Sequence, residues 1–185
     1  MTTGIFGGAF DPPHLGHVAL AREAKRRFGL DKLVVLVAAN PEHKEVATPV
    51  EARLALSRAA FPGDDVRLDE YPRTIDMLRT SEWEDPLLLV GADQLADFRR
   101  WKEPDAVLDL ARVAVATRPG QGLDRLAHAL EQLDRPDRIE VFPIEPQPIA
   151  SSDLRARVAR GESLDGLVPP PVAAEIERLG LYRHV

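Results

Sequence analysis

The chain contains no cysteine, which excludes a disulfide framework, thiolate catalysis and sulfur ligation of a metal. Aromatic residues are scarce at 5% of 185 positions, so each of the two tryptophans, Trp83 and Trp101, calls for a reason. No apolar run approaches the roughly 20 residues that a membrane-spanning helix requires. Lysine and arginine (24) are outnumbered by aspartate and glutamate (30), for a formal net charge of −6. That balance argues against general binding to nucleic acid or to an anionic membrane, while leaving room for a local basic pocket. Two common phosphate signatures are missing as well. There is no Gly-x-x-x-x-Gly-Lys-Ser/Thr, and no Gly-x-Gly-x-x-Gly opens the first helix-like stretch, so neither a P-loop nor a dehydrogenase-type turn is expected. Met1–Gly4 leads straight into a strand-like run without a leader pattern. The expectation is a soluble cytoplasmic protein with one domain over 1–185.

What is present is a regular alternation. Hydrophobic residues make up 44% and charged residues 29%, ordinary for a globular chain. Short apolar runs at Thr3–Phe6, Leu33–Ala38, Leu87–Val90, Val113–Ala116 and Ile139–Phe142 read as strands, with Val66–Leu68 a weaker sixth. Helix-like stretches cover Leu15–Phe28, Val50–Ala60, Ala106–Leu110 and Leu123–Leu133. In the first of them Val18, Ala21, Ala24 and Phe28 recur at helical spacing and should pack on a sheet. Strands alternating with helices predict an α/β protein: a Rossmann-like open parallel sheet with helices on both faces. The loops after the first strand and after Leu87–Val90 then leave the same carboxyl edge, where such sheets bind ligands.

One of those loops carries the densest signal, Gly7-Gly8-Ala9-Phe10-Asp11-Pro12-Pro13-His14-Leu15-Gly16-His17. A glycine pair at a strand-to-helix turn lets backbone approach a phosphate closely. His14 and His17, three apart at a helix start, project from one face beside the free N–H groups of the first turn. Gly16 between them removes a Cβ that would crowd a ligand. Together these features describe an anion site. Two histidines at this spacing are also compatible with metal binding, but no Asp-His-Glu cluster surrounds them, so no protein-bound metal is expected.

A second candidate lies at Ile149-Ala150-Ser151-Ser152-Asp153-Leu154-Arg155. Ser151 or Ser152 suits the cap of a helix running through Leu154 and Val158. Arg155, one turn inside, suits a phosphate held by guanidinium and free N–H groups together. Elsewhere the residues leave alternatives open. Lys44 is either a solvated lysine or a mobile charge for phosphate. Trp101, after Phe98-Arg99-Arg100, is either a core plug or a stacking platform. Asp93 is either a ribose acceptor at a strand end or an N-cap. Trp83 reads as packing, and His128 and His184 as surface residues.

The Gly-Gly-x-Phe-Asp-Pro-x-His-x-Gly-His element resembles the signature of the nucleotidyltransferase superfamily that carries His-x-Gly-His, and Ile149–Arg155 resembles its Ile-Ser-Ser-Thr-x-Ile-Arg motif. Here Ala150 and Ser152 stand for the usual Ser and Thr, and Leu154 for Ile. Within that superfamily the intervening segments resemble the nicotinate-nucleotide adenylyltransferases. These are Asn40–Lys44, Thr74–Leu78, Leu89–Leu95 with Trp101, Ala114–Gly120, Leu167–Pro169 and Gly180–Tyr182. Glu42 replaces a usual proline, Arg73 a usual tyrosine, and the segment between Leu78 and Leu87 is shorter than the family's.

The resemblance implies transfer of AMP from ATP to nicotinate mononucleotide, with Mg²⁺ arriving on the ATP. It assigns His14, His17, Lys44 and Arg155 to catalysis, and Gly7, Gly8, Phe10, Gly16, Asp93, Ser151 and Ser152 to ATP. It assigns Thr74 and Trp101 to the nicotinate mononucleotide, the tryptophan stacking on the flat ring. Nicotinamide-mononucleotide and phosphopantetheine adenylyltransferases share the histidine element and stand as alternatives, as does a nucleotide-binding module without catalysis.

Overall fold

Six short apolar runs become six parallel strands. A computed structural model describes residues 1–41, 46–80, 83–117, 127–128, 130–145 and 147–183. The strands are β1 (Thr3–Gly8), β2 (Lys32–Ala38), β3 (Asp65–Asp69), β4 (Leu87–Gly91), β5 (Arg112–Thr117) and β6 (Ile139–Pro143). The helices between and after them are α1 (Leu15–Phe28), α2 (Val50–Ala60), α3 (Thr74–Thr80), α4 (Ala92–Ala96), α5 (Pro104–Leu110), α6 (Ser151–Ala159) and α7 (Pro170–Leu179).

The strand order is β3-β2-β1-β4-β5-β6, and every pairing is parallel. From β1 the chain builds outward to β2 and β3, then crosses back to β4 on the other side. The carboxyl ends of β1 and β4 therefore flank the crevice where the winding reverses, the usual binding position in an open parallel sheet.

Side-chain alternation along the strands builds two apolar layers. Phe6, Leu33, Val35, Val37, Leu87 and Leu89 face one layer, which α1, α2, α6 and α7 close with Leu20, Ala24, Leu56, Leu154 and Ile176. Ile5, Val34, Leu36, Leu88 and Val113 face the other, closed by α3 and α5 through Ile75, Leu78, Val107 and Leu108.

Helices α1 and α2 span the residues that their periodicity indicates. Helix α1 ends at Gly29 in the left-handed conformation (φ 57°) after Lys25, Arg26 and Arg27, a favourable terminus for both backbone and dipole. The weak run at Val66–Leu68 is the sheet-edge strand β3, where one face is exposed and strong apolar patterning is not needed. Helix α5 begins two residues before Ala106, because Pro104 fits a first turn that needs no N–H. Helix α7 has no counterpart in the sequence expectations. Its Pro169-Pro170-Pro171 reads as a breaker, yet prolines at a cap and first turn start a helix. Of the expected helix over Leu123–Leu133, residues 123–126 and 129 lie outside the described residues, and 127, 128, 130 and 131 are helical.

Candidate active site

Gly7 and Gly8 are the last two residues of β1 and not, as their pairing suggested, the turn itself. The turn follows at Ala9–His14, and Phe10 takes the left-handed conformation there (φ 49°), uncommon for a residue with a side chain. A Cβ built on Gly7 would meet nothing within 4 Å, so that backbone is open to a ligand. A Cβ on Gly8 would come within 3.1 Å of the Phe10 ring. Gly8 thus makes room for Phe10, which is 2% exposed. Phe10 meets Phe6, Phe61 and His17 edge-on at 5.3, 5.8 and 5.2 Å between ring centroids. Its ring is a buried wall behind the loop.

His14 and His17 start α1 as a reciprocal cap. The Gly16 N–H donates to Nδ1 of His14 (3.1 Å), and the His14 N–H donates to Nδ1 of His17 (3.1 Å). Since each Nδ1 accepts, each neutral imidazole carries its proton on Nε2. The rings lie 3.8 Å apart at 33°. Gly16 earns its place differently from the expectation: a Cβ there would sit 2.9 Å from the His14 ring, so its absence accommodates the histidine first.

The carboxyl-terminal segment fastens this loop. Ala150, not Ser151 or Ser152, is the N-cap of α6, and it has no side-chain cap bond. The Ser151 hydroxyl instead donates to the Pro12 carbonyl at 2.9 Å, while Ser152 is exposed in the first turn. Arg155 donates from Nη1 to the Asp11 carbonyl at 2.7 Å, with the Asp11 carboxylate at 3.9 Å and its own side chain 30% exposed. The Leu15 N–H donates to the Leu167 carbonyl at 3.0 Å. Tyr182 donates to Oδ1 of buried Asp11; burial first, and then this bond, push the phenol's pKa well above its ordinary range.

On the other side of the crevice, Thr74 opens α3. Asp93 lies in the first turn of α4 and is exposed, so it neither ends β4 nor caps the helix; Gly91 does both, with Gln94 accepting its N–H at 3.1 Å. Trp101 follows a single 3₁₀ turn, half-buried, with its ring 4.9 Å from that of Phe98. Core contact and partial exposure therefore coexist in this one indole. Ion pairs Asp76–Lys102 (2.7 Å) and Arg79–Glu103 (2.5 Å) tie α3 to the segment after Trp101. Trp83 packs against the same layer, with the Arg67 guanidinium 5.8 Å from its ring centre. Lys44 and His184 lie outside the described residues; His128 is exposed.

Three residues that hold the site had no role in the sequence reading: Asp11, Tyr182 and Arg53. The first two stand inside quoted segments, but a bond between them is invisible without the fold. Arg53 left a signal. It falls on the buried stripe of α2 with Leu56, Ser57 and Ala60, where a charge is rare unless it is satisfied.

A family model described as cytidylyltransferase-like matches residues 5–157 of the chain. Among similar proteins, a probable nicotinate-nucleotide adenylyltransferase of Bordetella avium is 37% identical over 193 residues, covering 97% of either chain. One from a Roseiflexus species matches at 37% over the same shares. Among solved structures, Plasmodium falciparum nicotinic acid mononucleotide adenylyltransferase complexed with NaAD superposes with a TM-score of 0.75 at 16% identity, covering 98% of this chain and 97% of that one. A putative nicotinate-nucleotide adenylyltransferase of Vibrio parahaemolyticus gives 0.64 at 18% identity, over 100% and 98%.

Proposed function

The chain belongs to the cytidylyltransferase-like family, and we infer that within it the chain is a nicotinate-nucleotide adenylyltransferase of NAD biosynthesis. It transfers AMP from ATP to nicotinate mononucleotide, giving deamido-NAD and pyrophosphate. The reading is supported by relatives of that name that match it end to end. The observation that carries the chemistry is the imidazole pair at the start of α1, with both Nδ1 atoms engaged by backbone N–H groups.

A phosphate oxygen of nicotinate mononucleotide forms a bond to the α-phosphorus of ATP. The bond from that phosphorus to the α–β bridging oxygen breaks, and its electron pair leaves with pyrophosphate. The nucleophile is already an anion, so no general base is required. The barrier lies in bringing two polyanions together and in the charge that develops on the transferred group, so catalysis is positioning plus electrostatic stabilisation. In this reading the Nε2–H groups of His14 and His17 donate to the transferred and bridging oxygens. The open backbone at Gly7 and the first turn of α1 receive the triphosphate. Lys44, Arg155 and the start of α6 with Ser152 balance its remaining charge.

ATP enters as its Mg²⁺ complex, the ion held by the triphosphate itself. The donor set agrees with this, because the one carboxylate of the glycine loop, Asp11, is buried and occupied by Tyr182 and Arg155. In this reading Asp93 accepts from the ribose, the backbone near Thr74 holds the nicotinate carboxylate, and Trp101 covers the ring. Residues 1–185 act as one nucleotidyltransferase unit. The test is steady-state pyrophosphate release with nicotinate and with nicotinamide mononucleotide. The nicotinate form should give the higher kcat/KM; an equal or higher value for the amide overturns the assignment.

A further inference from the structure

Arg53 is 2% exposed and meets no carboxylate within ion-pair distance among the described residues. Its guanidinium spends its donors on four carbonyls instead. Nη1 donates to Ala9 (3.0 Å) and to Ala38 (2.7 Å), Nη2 to Ala39 (3.1 Å), and Nε to Thr48 (3.2 Å). The geometry of the first two bonds is informative. The last paired residues of β1 and β2 are Gly8 and Val37. The next positions along the chain, Ala9 just past β1 and Ala38 at the end of β2, are joined through one nitrogen of Arg53. The side chain thereby continues the β1–β2 pairing one step past its last paired residues, at the point where the glycine loop departs.

We propose that Arg53 is a positioning residue of the triphosphate site: it sets the exit of the Gly7–Ala9 backbone from β1 and keeps a buried positive charge beneath it. This rests on the adenylyltransferase reading. Two observations separate it from an ordinary structural arginine. A surface arginine would trade its bonds with water at little cost, whereas this one is desolvated. Burial pulls its pKa down and the Asp11 charge opposes that pull, so the ion is retained in spite of its surroundings. Three of its acceptors, Ala9, Ala38 and Ala39, also lie at the carboxyl ends of β1 and β2, and only the Thr48 bond joins it to the approach of its own helix. A cation fixed there acts on an anion above the glycine loop without touching it, since little water screens it. Lysine in its place keeps the charge but lacks the planar fork that spans Ala9 and Ala38.

The test compares Arg53→Lys and Arg53→Gln with Ser57→Ala. Ser57 is equally buried in the same helix, and its hydroxyl donates only to the Arg53 carbonyl at 2.8 Å, so its loss lowers stability without touching either loop. Two affinities are read: direct binding of a non-hydrolysable ATP analogue, and the KM for nicotinate mononucleotide. Arg53→Lys should weaken the analogue by about tenfold and Arg53→Gln by more, with the mononucleotide KM within about twofold of wild type. Ser57→Ala should move neither, even where its melting temperature falls as far. Equal shifts in both affinities, or an ATP-analogue effect of Ser57→Ala matching that of Arg53→Lys, would overturn the proposal. Either arginine variant that folds suffices for the comparison. Should wild-type protein release no pyrophosphate with either mononucleotide, the adenylyltransferase reading fails separately, and analogue binding still decides the role of Arg53.

Discussion

Tyr182 donates a 2.6 Å hydrogen bond to Oδ1 of Asp11, a residue 171 positions earlier in the chain. Segments far apart in sequence therefore meet beside the turn that leads into both histidines. With Arg155 on the Asp11 carbonyl and Ser151 on the Pro12 carbonyl, the loop is held by bonds from the carboxyl-terminal segment as well as by its own strand and helix. A loop with no regular secondary structure gains in this way the rigidity that an electrostatic site needs.

Tyr182→Phe should cost about 1–3 kcal/mol in urea unfolding at neutral pH, because it strips a donor from a buried carboxylate. The effect should also depend on pH with a definite sign. The folded-state phenol titrates above its ordinary value, so its contribution is complete below about pH 10 and lost as pH rises through the folded value. The stability gap between wild type and variant should close on the alkaline side. A gap that stays constant there would show that the phenol does not titrate as its burial requires.

The histidine pair yields a catalytic prediction and a steric one. His17→Ala should lower kcat by roughly 10²–10⁴, the range for a lost electrostatic donor, with a much smaller effect on ATP binding. Gly16→Ala should lower kcat in the same direction although it removes no functional group, because its Cβ would sit 2.9 Å from the His14 ring. Near-normal turnover of His17→Ala would remove that histidine from the mechanism. Near-normal turnover of Gly16→Ala would mean that the His14 ring can shift without loss.

Arg155→Ala should raise the KM for ATP by about tenfold to a hundredfold, the cost of one charge-assisted phosphate contact. Its bond to the Asp11 carbonyl adds a loss of loop order, so some fall in kcat should accompany it. Arg160 pairs with Glu162 on the exposed end of α6 at 2.6 Å, and Arg160→Ala should be nearly silent in steady-state kinetics. Equal effects at the two positions would reduce Arg155 to a source of general positive potential.

Trp101→Ala should raise the KM for nicotinate mononucleotide by about tenfold to a hundredfold, since stacking on an aromatic ring is worth about 1–3 kcal/mol. The KM for ATP should change little. Because the indole also packs beside Phe98, a modest fall in thermal stability is expected too, and Trp101→Phe should restore most of it. An unchanged mononucleotide KM in Trp101→Ala would leave the residue with its core contact alone.

The alternation of apolar runs and helical stretches was enough to define a parallel α/β sheet and the bounds of α1 and α2, because hydrophobic periodicity is a local property. The glycine–histidine element was legible for the same reason: its chemistry lies within eleven consecutive residues. What these local patterns do not contain is strand order, and with it the reversal between β1 and β4 that locates the crevice. Nor do they say what a polar side chain will meet. Ser151 carried a clear capping pattern, yet the fold put the Pro12 carbonyl within its reach and left α6 uncapped. Asp93 lies two residues past the strand end expected of it, because β4 ends at Gly91. Arg53 and Tyr182 hold the site through partners 44 and 171 positions away. Such bonds depend on which surfaces the sheet brings together, and a buried donor takes whatever acceptor packing supplies. The residues by themselves determined the fold class and marked the candidate groups; only the tertiary structure decided which side chains hold the others in place, because those contacts depend on packing between distant segments.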